Sequence, residues 1–467
     1  MTELPDRVVG DARTSDFGWD LLTDLTDIGN RMAGSTGERR GAERVVEAFE
    51  AAGLRNAGLD EFEIPGWWRG ASSLSVSGAV ERRHENAHEV IALPGTPSGE
   101  VTASLVDVGD GTDEEFAAAE AELEGAVAMA SSRTPESHDR WIHRMEKYVA
   151  AAERGAVGFV FRNHIEGALP PTGEIGYHNR PGPIPAVGVS KEVGDRLSRL
   201  AAAAEGDGEG GDGSRGGAAA GDLPTVSLDV DCRNEPTTSV NAVAEVGPET
   251  EEAVYLTAHV DAHDVSDGAN DNGAGSALVA EVGRLLATVE GDLDTRVRLV
   301  TFGSEEIGLW GAYHTAETTP REEIACVVNL DGACSSRNLR VGTNGFDGMR
   351  SVFESVADAF DAPLATGETI APHGDQWAFV QEGIPAVMTS TTSDQSGRGW
   401  GHTHADTLDK LDSRDLREVA TLVSAAVYRF ATGEVEATHR SRESIRDAID
   451  EGYVEELKTG GRWPYEE

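Results

Sequence analysis

At 467 residues the chain is long enough for two or three domains and a large core, and its 39% hydrophobic content lies above the disordered range. Acidic residues number 83 against 39 basic ones, a formal net charge of −44. So negative a surface repels nucleic acid and anionic lipid, which removes both as expected partners. It suits a halophilic protein whose self-repulsion is screened by salt.

The first residues, "MTELPDRVVGDARTSDFG", have neither a basic start nor an apolar stretch, so no signal peptide is expected. No apolar run approaches the roughly 18 residues that span a bilayer. The three cysteines, Cys232, Cys326 and Cys334, are odd in number and fit a reduced, cytoplasmic compartment. Cys326 sits in the apolar run "IACVVNL" and reads as core.

Residues 17 to 55 read as two helices, "WDLLTDLTDIGNRM" and "GERRGAERVVEAFEAAG", followed by a strand, "GLDEFEI". From about 70 to 205 short β-type segments ("EVIAL", "ASLVDVG", "GAVAMAS", "GAVGFVF") surround one helix, "HRMEKYVAAAERGA". Residues 201 to 222 are Gly, Ala and acid without periodicity, a loop or linker that cannot bury a core. The pattern then becomes regular. Strands "AVYLTAHVD", "RVRLVTFGSEE", "ACVVNLDGA" and "IPAVMTS" alternate with helices "AGSALVAEVGRLLATV", "FDGMRSVFESVADAF" and "SRDLREVATLVSAAVYRFA". This alternation predicts an α/β sheet with helices on both faces. The charged tail from about 436 reads as peripheral.

In open α/β sheets, ligands bind where loops leave the carboxyl ends of the strands. Four buried strands of this chain end in ligand-type side chains: His259 and Asp261 with Asp271 in the next loop, Glu305 and Glu306, Asp331, and a loop holding His402 and His404. Imidazole and carboxylate together suit a borderline divalent ion such as zinc, and this donor count exceeds one tetrahedral site. Two ions sharing a carboxylate would use it. On a regular strand the side chains of Glu305 and Glu306 would point to opposite faces, but the turn at the strand end frees them. One can then ligate while the other serves as general base.

The pieces "HVDAHDVSDGANDNGAG", "GSEEIGLWGA", "NLDGA", "HGDQWAFVQEGIPA" and "GHTHADTLDKLD", in that order over roughly residues 235 to 430, resemble the motifs of the M28 family of co-catalytic zinc peptidases. That family includes aminopeptidases and carboxypeptidase Q-like enzymes. The resemblance implies a mixed, mostly parallel sheet and two zinc ions per chain. It makes Asp271 the bridging ligand, with His259 and Asp331 completing one zinc site and Glu306 and His402 the other. Glu305 becomes the general base that activates a water between the ions, and Asp261 the carboxylate that orients His259. It further implies a di-zinc exopeptidase acting on peptides, an aminopeptidase by family frequency. A carboxypeptidase or dipeptidase, a glutaminyl cyclase-like enzyme and a non-catalytic zinc-binding relative stay open, as does a homodimer.

"KYVAAAERGAVGFVFRN" resembles a protease-associated (PA) domain. The expected organisation is therefore N-terminal helices of the peptidase over 1–68, an inserted PA-like domain over 69–205 and a linker over 206–224. The catalytic domain follows over 225–435, with a charged tail over 436–467. Two departures from the family pattern stand out. Gly401 occupies the position before the final His where an aromatic residue is common. Ala262 and His263 stand where relatives often have Ser-Trp. His263 reads as a residue of the rim or one supporting the ligands, Asp264 and Asp267 as solvated loop acids or caps, and His373 and Asp375 as facing substrate. Arg398 is the nearest cation in sequence to His402.

Overall fold

The computed structural model describes residues 3–77, 81–178, 180–206, 224–392, 399–433 and 437–466. Most of the expected linker, and Arg398, lie outside the described residues.

The strand Ala253–His259 is buried at every position, as its unbroken apolar run requires of a strand covered on both faces. It pairs in parallel with Arg296–Phe302 on one side and Ile324–Leu330 on the other, and the latter pairs in parallel with Ala386–Thr391. These are the four strands that end in ligand-type residues. Because they all run the same way, their carboxyl ends share one edge of the sheet. Leu339–Gly342 adds antiparallel to Ala386–Thr391, and Leu364–Gly367 adds parallel to it in turn, so the sheet is mixed and mostly parallel. Helices Thr36–Ala51, Ala274–Ala287 and Ser413–Ala431 pack their apolar stripes into one core with this sheet.

The first expected helix is shorter than its periodicity suggests. It spans Phe17–Thr26 and is preceded by a further helix, Asp6–Ala12. Gly29, in the left-handed region at φ +79, breaks the continuation, and the chain turns Arg31 into the core.

Two long strands carry the inserted domain. Arg55–Ser77 and Thr225–Val246 pair antiparallel from Arg55 opposite Glu245 to Ser77 opposite Thr225. At one end Thr225–Val246 pairs with Arg296–Phe302 of the catalytic sheet, and at the other with Gly99–Asp107 of the insert. Gly99–Asp107, Val127–Ser131, Gly158–Arg162 and Ala186–Val189 then form a parallel array, edged by the antiparallel Val90–Ala92. Among its described residues the insert holds three helices rather than the one expected: Asp113–Leu123, Arg144–Glu153 and Lys191–Gly206. The first of these buries only Phe116 and Leu123, which leaves little periodicity to read, although Thr112 and Glu115 form a capping box at its start.

The tail is less peripheral than its charge suggests. It forms helices Arg442–Arg446 and Glu451–Thr459, and buries Ile445 and Leu457 against the catalytic core. Among the described residues, no helix is long and apolar enough to cross a membrane.

Candidate metal centre

His259 is the last residue of its strand, and its imidazole is fully buried. Its Nδ1 lies 3.1 Å from the backbone oxygen of Asp261, a contact that places the proton on Nδ1 and leaves Nε2 with a lone pair that can bind a cation. Nε2 faces Asp271 Oδ1 at 3.3 Å and Asp331 Oδ1 at 3.9 Å, and makes no hydrogen bond among the described residues. The second oxygen of Asp271 lies 3.3 Å from His402 Nε2, which in turn is 3.2 Å from Glu306 Oε2. Two atoms held tetrahedrally on one zinc at about 2.0–2.1 Å lie about 3.3 Å apart. The donor set and its spacing therefore fit a divalent ion on each side of Asp271.

Two groups of donor atoms result, each within 4.8 Å of one another: His259 with Asp271 and Asp331, and His402 with Glu306 and His263. The structure thus brings together all five residues expected to ligate. His404, the alternative to His402, is elsewhere, with its Nε2 against His88 Nδ1 at 2.6 Å. His263 is not at the rim: it is buried, with Nε2 2.9 Å from Glu306 Oε2.

Asp261 plays a part broader than the one expected. Its carboxylate oxygens accept the backbone N–H groups of Glu305 (3.0 Å) and Glu306 (3.2 Å), while Oδ1 is 3.5 Å from His259 Nδ1. It ties the His259 loop to the tandem glutamates. Ser304 precedes them in the left-handed region at φ +59, a conformation uncommon for a residue with a side chain. Glu38 holds it there: its Oε1 accepts from Ser304 N (2.9 Å), Ser304 Oγ (3.1 Å) and Ser239 Oγ (2.8 Å). Burial, with Asp261 nearby, pushes Glu38 up to about 8.

Charge is concentrated here. Burial raises Glu305 well above the usual carboxylate range; His259 opposes this, while Asp375, Glu306 and Asp331 add to it. Burial would also raise Glu306, but His263 and His402 beside it hold it well below its ordinary value. Asp375 is fully buried, and neither carboxylate oxygen has a hydrogen-bond partner among the described residues. Burial raises it strongly, and Asp261, Asp331 and Glu306 add to the shift.

Supporting residues complete the frame. Asp406 accepts the backbone N–H groups of Asn270 (2.9 Å) and Asp271 (3.0 Å). Buried Arg31 donates to the carbonyls of Leu25, Val260, Asp267 and Gly268, pinning both ends of the His259 loop. Asp264 is paired with Arg69 at 2.7 Å rather than solvated, and Asp267 contributes its carbonyl to Arg31. From the insert, Thr172 N–H donates to the carbonyl of His402 at 2.8 Å, with His402 itself at φ +58. His373 points to Glu456 of the tail at 2.7 Å and lines a cleft of about 970 Å³.

Sequence reasoning missed Glu38, Arg31 and Asp406. Asp406 lies inside the "GHTHADT" motif, so its position was the available signal. Glu38 and Arg31 lie more than 200 residues from the loops they hold, and only their burial reveals them.

A cavity of about 360 Å³ opens at the ligands, lined by Asp271, Asp331, Gly401, Asp406 and Arg340. A smaller one beside His402 is lined by Arg144 of the insert, Trp141 and Gly401.

Residues 241–427 match peptidase family M28, and residues 101–197 match the PA domain. The chain is 26% identical over 420 residues to aminopeptidase YwaD of Bacillus subtilis, covering 87% of this chain and 82% of that one. It is 25% identical over 424 residues to carboxypeptidase Q of Mus musculus, covering 88% and 84% respectively. Its fold is similar to that of a peptidase M28 precursor from Shewanella amazonensis, with a TM-score of 0.74 at 24% identity over 93% of this chain and 97% of the other. It is also similar to BSAP, a zinc aminopeptidase from Bacillus subtilis, with a TM-score of 0.69 at 24% identity over 96% of this chain and 100% of the other. With the sheet, the insert and the gathered ligands in agreement with these likenesses, residues 241–427 form a peptidase family M28 domain, and residues 101–197 a PA domain.

Proposed function

We propose that the protein is a di-zinc metallo-exopeptidase, most simply an aminopeptidase. The observation that carries the reading is that Asp271 offers one oxygen to His259 and the other to His402, each at 3.3 Å. His259, Asp331 and Asp271 would hold one ion, and Glu306, His402 and Asp271 the other. When bound, the ions would acidify the attacking water, polarise the scissile carbonyl and stabilise the developing oxyanion.

The chain's own residues would do the rest. Glu305, fixed through its backbone by Asp261, would take the proton of the attacking water and deliver it to the leaving amine. Burial keeps its carboxyl ready to hold that proton. Glu38 and Asp261 hold the turn that separates the ligating from the basic glutamate. Thr172, in the insert, fixes the backbone of His402 and couples the PA domain to the centre.

Support for aminopeptidase action comes from the relatives named aminopeptidase. A second reading, carboxypeptidase or dipeptidase, is favoured by Arg340 and Arg144, which line the cavities on either side of the ligands and suit an α-carboxylate. The relative named carboxypeptidase Q fits it too. Paired substrates decide between them. Cleavage of aminoacyl-nitroanilides, with N-blocked dipeptides left intact, supports the first reading; cleavage of N-blocked or free dipeptides, with the nitroanilides left intact, supports the second. Pyroglutamate formation with one bound zinc would contradict both.

The net charge of −44 supports work in high salt and a cytoplasmic setting, with peptides rather than nucleic acid or membrane as partners.

A further inference from the structure

His263 belongs to the loop that carries His259 and Asp261, at a position where the family resemblance offers no ligand. Its neighbours turn it inward. Ala262 N–H donates to the carbonyl of Arg31 at 3.2 Å, and Asp264 is clamped by Arg69 through three contacts of 2.7 to 3.1 Å. The imidazole is 2% exposed and stands edge-on to His402, with ring centroids 4.4 Å apart and planes at 85°. His263 Nε2 and His402 Nε2 approach the same oxygen, Glu306 Oε2, at 2.9 and 3.2 Å.

A buried histidine hydrogen-bonded to a carboxylate is the simpler arrangement to expect. Here the geometry speaks against it: Nε2 is close to Glu306 but not aligned for a hydrogen bond, and Nδ1 has no partner among the described residues either. Leaving a buried polar group unpaired is unfavourable. A cation placed between His263, Glu306 and His402 satisfies Nε2 and explains why two imidazoles crowd one carboxylate oxygen.

We propose that His263 is a further protein ligand of the second ion, beside Glu306, His402 and the shared Asp271. This inference rests on the two-metal reading above. It makes the centre asymmetric: one ion has a single imidazole and mostly carboxylate, the other two imidazoles. Imidazole is the softer donor, so the second ion's site discriminates more strongly for zinc over hard cations such as magnesium.

The test is zinc X-ray absorption on the full-length protein loaded with two zincs, alongside His263→Gln, which keeps an amide N–H for Glu306. Wild type should show about 1.5 imidazoles per zinc, three rings over two ions, falling to about 1 in the variant. In chelator competition, one of the variant's two zincs should bind about 100-fold more weakly, the other unchanged. Wild-type protein with two zincs and about one imidazole per zinc overturns the assignment of His263 while leaving the two-metal reading intact. Because this outcome is read on wild type, it does not depend on the variant folding. A chain that binds a single zinc overturns the two-metal reading, and this inference with it.

Discussion

The Asp406 carboxylate accepts the backbone N–H of Asp271 at 3.0 Å, and through it holds in place a side chain that faces both candidate ion positions. Burial and the neighbouring Asp271 push Asp406 up to about 6, so it is an acceptor held at some cost, opposed by its two backbone donors. Asp406→Ala should leave the fold intact and weaken zinc binding by about 10- to 100-fold, as loss of a group that positions a ligand does. Chelator competition at fixed zinc measures this. Unchanged affinity would mean that the Asp271 loop needs no such anchor.

Glu305 and Glu306 are adjacent, yet their environments divide them. Histidines surround Glu306 and hold it ionised, while burial raises Glu305. Glu305→Gln should retain zinc and lower kcat by about 10²- to 10⁴-fold, the range of a general base. Glu306→Gln should instead lose zinc. Metal content measured beside turnover separates the two roles.

Arg31 satisfies four carbonyls, three in the His259 loop and that of Leu25 in the helix Phe17–Thr26. Burial lowers its pKa to about 10, with Asp406 and Asp261 opposing, so it stays charged at neutral pH. Arg31→Ala strips several buried acceptors of their donor and should destabilise the protein by about 3 kcal/mol or more, seen in denaturant unfolding. A variant as stable as wild type would show that water replaces the guanidinium.

His178 of the insert stacks on Trp310 with centroids 4.6 Å apart, and its backbone N–H donates to the carbonyl of Gly460 in the tail at 3.0 Å. Burial, helped by Arg462, lowers it from 6.5 to about 4. The folded state therefore binds fewer protons than the unfolded state between these values. The stability linked to His178 is complete above pH 6.5 and is lost as pH falls through 4, by up to about 3 kcal/mol. His178→Phe keeps the stacked ring and should flatten that loss; stability measured from pH 7 to 4 for both proteins reads the difference. Parallel curves would contradict it.

Much of this centre is legible in the sequence because its strands are covered on both faces. A continuous apolar run such as "AVYLTAH" ends abruptly in charge, and that junction marks the sheet edge. The closing helix Ser413–Ala431 is equally plain, capped by Asp412, charged in its first turns and buried at every position from Val419 to Ala431. The ribbon Arg55–Ser77 with Thr225–Val246 is not, since it pairs residues up to 190 apart and Pro65, Pro236 and Gly66 interrupt its alternation. Burial of charge is also silent in sequence. Glu38 reads as the capping glutamate three residues after Ser35, not as a group that reaches the tandem glutamates, and His263 reads as rim or support until Arg69 and Arg31 are seen to fix its loop.

The central claim is that two ions shared by Asp271 make this chain a hydrolase of peptides. The most direct measurement is zinc per chain against peptidase activity, as a chelated sample is titrated with zinc in high salt. The account predicts binding of two zincs, with activity against a free-amine aminoacyl-nitroanilide or a blocked or free dipeptide rising as the pair fills. Full activity with no zinc, or two bound zincs with neither substrate class cleaved, would contradict it.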